Sequence, residues 1–109
     1  MEQEQRSQRR VHAAIPVQIS GTDAKGETFE EWVDAEEVSR RGLSVMTRRD
    51  LPIFTTLNVT IPGRGPVRPG EGPTDFYSEA SVVRVNKEGD TNRVSVRFVG
   101  ATLAIYTAE

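Results

Sequence analysis

The chain has 109 residues, 36% of them apolar and 28% charged, with a formal net charge of −2. That length and balance describe one domain with an economical core, and they exclude a general binder of nucleic acid or of anionic membrane. The chain has no Cys and one His, His12, which excludes disulfides, thiol nucleophiles and a His/Cys metal cluster.

Residues 1–12 are polar and show no apolar period, so they are expected to form a flexible N-terminal arm, with the domain proper over 13–109. The opening Met1-Glu2-Gln3-Glu4-Gln5 lacks the apolar run of a signal peptide. No stretch approaches the roughly 20 apolar residues of a membrane span, so a cytoplasmic protein is expected. Ala13 to Ser20 alternates, with Ile15, Val17 and Ile19 on one face, and reads as a strand. Pro16 places it near an edge or at a strand start. A turn follows at Gly21–Gly26.

Glu27 to Val38 has helix-favouring Glu and Ala, but it lies between two turn signals among strand-like neighbours and is read as a strand. Trp32 is expected in the core. The polar turn Glu37-Val38-Ser39-Arg40-Arg41-Gly42 then leads into a short strand, Leu43 to Thr47. Its acid and hydroxyl can satisfy backbone N–H groups, and Gly42 is expected to supply a positive φ. Arg48 to Pro52 is a loop, and Arg40, Arg41, Arg48 and Arg49 are expected as solvated loop charges. Thr55 to Ile61 is the clearest strand, with Leu57, Val59 and Ile61 on one face.

The loop from Pro62 to Asp75 holds four Pro and four Gly and is expected as a solvated hairpin tip. Phe76 to Asn86 and Asn92 to Val99 are strands around a turn at Lys87–Thr91. The tail Ala101–Glu109 reads as a short C-terminal helix or a fraying end. About six short strands with no long helix suggest an all-β fold, a small six-stranded antiparallel barrel, since closure removes exposed edges.

Twelve of the 14 cations are Arg. A guanidinium is a flat fork that suits phosphate oxygens and the guanine edge and stacks on aromatic planes. Arg6, Arg9 and Arg10 crowd just before the first apolar run, where folding does not need them. An enzyme is not expected: Ser39 has no neighbouring base, and His12 is the sole route to a hydrolytic arrangement. Single-stranded nucleic-acid binding needs aromatic platforms in a basic groove, and aromatics are only 6% of this chain.

Four passages, in order, carry a resemblance. Arg6-x-x-x-Arg10 with Val11 leads into Ile15-Pro16-Val17. Glu37-x-Ser39-x-x-Gly42 leads into Leu43-Ser44-Val45. Leu57 to Pro62 forms the next strand, and Val82-Val83-Arg84-Val85 through Arg97-Phe98-Val99-Gly100 a closing hairpin. Together they resemble a PilZ domain, the β-barrel receptor module for the bacterial second messenger cyclic di-GMP. The resemblance implies that Arg6 and Arg10, with Arg9 as a third contact, bind the ligand's phosphates and guanines from an arm that orders over the barrel. Glu37 would accept from a guanine N–H edge, Ser39 would offer its hydroxyl, and Gly42 would admit the ligand without a Cβ in the way.

The family pattern has Asp or Asn where this chain has Glu37, one methylene longer. The function implied is a receptor or adaptor that changes arm conformation on binding cyclic di-GMP and passes the signal to a protein partner. It would need no metal, no cofactor, and no DNA or RNA. The alternative is a degenerate PilZ-fold interaction module that binds no nucleotide.

Overall fold

The computed structural model describes residues 11–100 and residue 103. The expected arm up to Arg10 and the expected terminal helix, Leu103 apart, lie outside them. Among the described residues eight strands occur: β1 (Val11–Thr22), β2 (Thr28–Val38), β3 (Gly42–Thr47), β4 (Thr56–Ile61), β5 (Val67–Arg68), β6 (Gly72–Pro73), β7 (Phe76–Glu88) and β8 (Thr91–Val99). Six of them close an antiparallel barrel in the order β1-β2-β3-β8-β7-β4. The described residues contain no helix, so the strand reading of 27–38 holds against helix propensity. Tertiary pairing on both sides of β2 outweighs the preference of Glu and Ala. β5 and β6 form a two-residue ladder within the Pro/Gly-rich hairpin, fixed by Gly65 N–H donating to Thr74 O at 2.7 Å.

The period-two pattern builds the core. Val17, Ile19, Val45, Leu57, Val59, Val82 and Val94 are essentially inaccessible inside the barrel. Phe76 and Phe98 close one end with ring centroids 4.9 Å apart and tilted by 58°. Leu103 is buried in the same core cluster, and its N–H donates to Arg40 O at 2.8 Å. The β4 ladder on β1 spans only Gln18–Gly21, so Pro16 lies outside it, where its missing N–H breaks no bond to β4.

Two sequence expectations fail here. Trp32 is 58% exposed. Phe29, Val33 and Ala35 face inward, so the same alternation turns Trp32 out, beside Gln18 of β1. Arg49 is not a free loop charge either. Its Nε lies 2.7 Å from Glu31 Oε1 and its Nη1 3.1 Å from Asp23 Oδ2, with Glu27 further off at 3.7 Å. Its guanidinium carbon sits 4.4 Å from the Phe29 ring centroid. Arg49 thereby staples the β1–β2 hairpin to the loop after β3.

The ladder also carries three irregularities, at His12/Ile15 in β1, Ala35/Glu37 in β2 and Val82/Arg84 in β7. Each of the last two inserts one residue and reverses the in/out phase of the strand beyond it. Ala35 is buried before Glu36, and Val38 is buried after it. Val82 is buried before Val83, and Val85 packs on the core after it. The phase reversals turn Glu37 and Arg84 outward.

Two measurements check this account. Leu57→Ala empties a fully buried site and should lower unfolding free energy by about 2–5 kcal/mol in denaturant titration. Asp23 accepts from the backbone N–H groups of Glu27 and Lys25 and from Arg49, and these bonds hold its carboxyl below the ordinary aspartate value of 3.8. A depressed folded pKa stabilises the fold above the unfolded value and loses that effect as pH falls through the folded one. The melting-temperature gap between wild type and Asp23→Asn should therefore be full at neutral pH and shrink below about pH 4.

Candidate functional site

The β2–β3 turn is built by Ser39. Its N–H donates to Gly42 O at 2.8 Å, its hydroxyl donates to the same oxygen at 3.2 Å, and Arg41 N–H donates back to Ser39 Oγ at 3.3 Å. Gly42 is required, but not for the expected reason: it is not among the positive-φ residues. A Cβ there would stand 2.0 Å from Val96 O on β8. The glycine lets the start of β3 press against the backbone of β8, where Gly42 pairs with Arg97. Beyond the turn, Phe98 N–H donates to Arg41 O at 2.7 Å.

This close approach aligns one cross-strand row on the outer face. Glu37 pairs with Ser44, Ser44 with Ser95, and Ser95 with Arg84. From Glu37 to Arg84 the row crosses three strand gaps, roughly 14 Å at ~4.8 Å apiece. Its centre is small and polar: Ser44 Oγ and Ser95 Oγ are 3.0 Å apart, and Ser44 is 7% exposed. Its ends are large and charged. Low hydroxyl floor and tall charged walls make a cavity of about 390 Å³, lined among others by Glu37, Ser39, Gly42, Arg84, Asn86 and Arg93.

The structure thus brings together Glu37, Ser39 and Gly42 of the expected site. Arg6, Arg9 and Arg10 lie outside the described residues. The register still states where the chain from them enters the barrel: Val11 pairs with Val38 and His12 with Glu37, at the rim of this cavity. Sequence reasoning missed Arg84, Asn86 and Arg93, which the β7–β8 hairpin places on the opposite wall. The break of alternation at Val82-Val83-Arg84-Val85, two adjacent outward residues, was the available signal for Arg84.

The two arginines of that wall differ. Arg84 is exposed and has no ion-pair partner among the described residues. Arg93 is bound at 2.7 Å to Glu36 Oε1 and at 3.0 Å to Glu88 Oε2. The hydrogen bond to Glu88, with the charges of Glu36 and Glu88, holds Arg93 above the ordinary guanidinium range. A surface with forked cations on one wall, a carboxylate on the other and hydroxyls between can grip phosphate and the donor edge of a purine together. Among the described residues no group of three or more His, Cys, Asp or Glu side chains could hold a metal ion.

Comparison with known proteins agrees with the fold. A family model described as PilZ domain matches residues 4–106. The chain is similar in structure to the PilZ domain with c-di-GMP of YcgR from Escherichia coli, with 15% identity and a TM-score of 0.56 over 89% of this chain and 79% of that one. It is also similar to YcgR in complex with c-di-GMP from Escherichia coli, with 18% identity and a TM-score of 0.50. There the match covers 89% of this chain but only 39% of that longer one. No curated protein matches the chain.

Gly42→Ala should be costly with or without any ligand, because the opposing atom is β8 backbone. The expected loss is about 3 kcal/mol, a melting temperature lower by on the order of 10–20 °C for a domain this size. Thermal unfolding followed by circular dichroism reads it directly.

Proposed function

This chain belongs to the PilZ domain family, and from that premise we propose that it is a receptor for cyclic di-GMP rather than an enzyme. The observation that carries the reading is the β1–β2 register. It delivers the chain that follows Arg6, Arg9 and Arg10 to the rim of a cavity already lined by Glu37, Ser39 and Gly42. Arg10 is one residue from Val11, and Arg6 at most about 18 Å of extended chain from it. That length of chain is enough for both to reach the cavity mouth in the bound state.

In the bound state, Arg6 and Arg10 pair with phosphate oxygens or the O6/N7 edge of guanine, with Arg9 as a further contact. Glu37 accepts from a guanine N–H edge, and the turn of Ser39 and Gly42 presents backbone at close range. Arg84 supplies a fourth cation from the far wall, free to stack on a purine face or meet a phosphate. The cavity volume falls within the roughly 300–1,000 Å³ of small-molecule pockets. Arm closure supplies the missing cover, an ordering step that lowers net affinity and gives the domain two forms for a protein partner to distinguish. A cytoplasmic bacterial setting, where such a messenger would be met, is part of this proposal.

Calorimetric titration with cyclic di-GMP tests it. The wild type should bind saturably, and affinity should fall as salt is raised. Arg10→Ala should weaken binding by about ten-fold or more, the size of a lost hydrogen bond between charged groups. Arg84→Ala should weaken it as well, while leaving thermal stability unchanged. No heat and no chemical-shift change at high ligand excess would sink the receptor reading and favour the interaction module without nucleotide affinity.

A further inference from the structure

Arg93 lines the cavity, yet its guanidinium is already engaged on two sides by Glu36 and Glu88. The three side chains come from different places. Glu36 is the inserted residue of the β2 bulge, Arg93 lies on β8, and Glu88 ends β7 beside the Gly89-Asp90 turn. The pair with Glu36 reaches across β3, the strand that carries Ser44. All three are partly exposed, at 31% for Arg93, 42% for Glu36 and 45% for Glu88, so water screens each pair and neither is strong. Arg84, on the same wall, has no such competitor among the described residues.

Resting on the receptor reading above, we propose that Glu36 and Glu88 form an affinity-setting clamp on Arg93, which an anionic nucleotide must displace before Arg93 can contact it. The exchange is chemically matched. A guanidinium leaves two carboxylate oxygens for phosphate oxygens or a guanine edge and keeps its forked bonds. The released carboxylates stay at exposed positions where water can solvate them. One strong contact is thus traded for another, and Arg93 adds little net affinity while both acids are present. The acids raise the ligand concentration at which the site fills. Displacement also unties Glu88 from Arg93 at the β7–β8 turn, the opposite end of these strands from the Ser39–Gly42 turn. Ligand occupancy thereby reaches a surface it does not touch.

The test is a set of calorimetric titrations with cyclic di-GMP at one ionic strength. Glu36→Gln/Glu88→Gln should bind more tightly than wild type by on the order of five-fold, the value of two weak exposed pairs. Adding Arg93→Gln to that double variant should abolish the gain and weaken binding further. Glu30→Gln/Glu79→Gln, on the other side of the barrel, changes net charge equally and should leave affinity unchanged. If the wild type binds but the Glu36/Glu88 variant shows no gain, the clamp is overturned and the receptor reading stands. Equal affinity of the double and triple variants, or an equal gain in the Glu30/Glu79 control, also overturns it. Failure of both the wild type and the Glu36/Glu88 variant to bind overturns both readings.

Discussion

The contact between Gly42 and the carbonyl of Val96 is the joint on which the molecule turns. β1 to β3 form one run of hairpins and β7 to β8 another, and the β3–β8 ladder joins them. Only a residue without a Cβ lets that ladder begin so close to the turn. Once it does, Ser44 meets Ser95, and a carboxylate from the first half of the chain faces a guanidinium from the second. The candidate site straddles the joint, so folding and site assembly are a single event.

Charge is distributed around that joint by role. Arg49 is satisfied by Asp23 and Glu31 and packed on Phe29, which makes it a fastener at the far end of β3. Arg93 is held at the cavity by weaker, screened partners, and Arg84 stands open. The same side chain serves three ends because burial and neighbours differ, not because the residue does. The net charge of −2 conceals this arrangement, in which acids hold Arg49 and Arg93 directly.

The strands were legible because alternation of apolar residues needs only local sequence, and six of them in a short chain imply closure. Glu37, Ser39 and Gly42 were legible as a turn, although Gly42 is explained by a long-range approach to β8 rather than by its own φ. Trp32 was misplaced because size suggested the core, whereas the phase set by Phe29 and Ala35 decides the face. Arg49 was misread because its partners lie 18 and 26 residues away. Arg84, Asn86 and Arg93 were missed because only strand pairing brings them to the cavity, and the β7 bulge that turns Arg84 outward is a fault in alternation rather than a motif.

The central claim is that one nucleotide sits on the row that crosses the β3–β8 joint. A titration of isotope-labelled protein with cyclic di-GMP, followed through backbone amide shifts, tests it most directly. The account predicts that the largest changes fall on Arg6–Arg10, Glu37–Gly42, Ser44, Arg84 and Ser95, with Trp32 and Tyr77 on the opposite face unmoved. Shifts confined to that opposite face would contradict it.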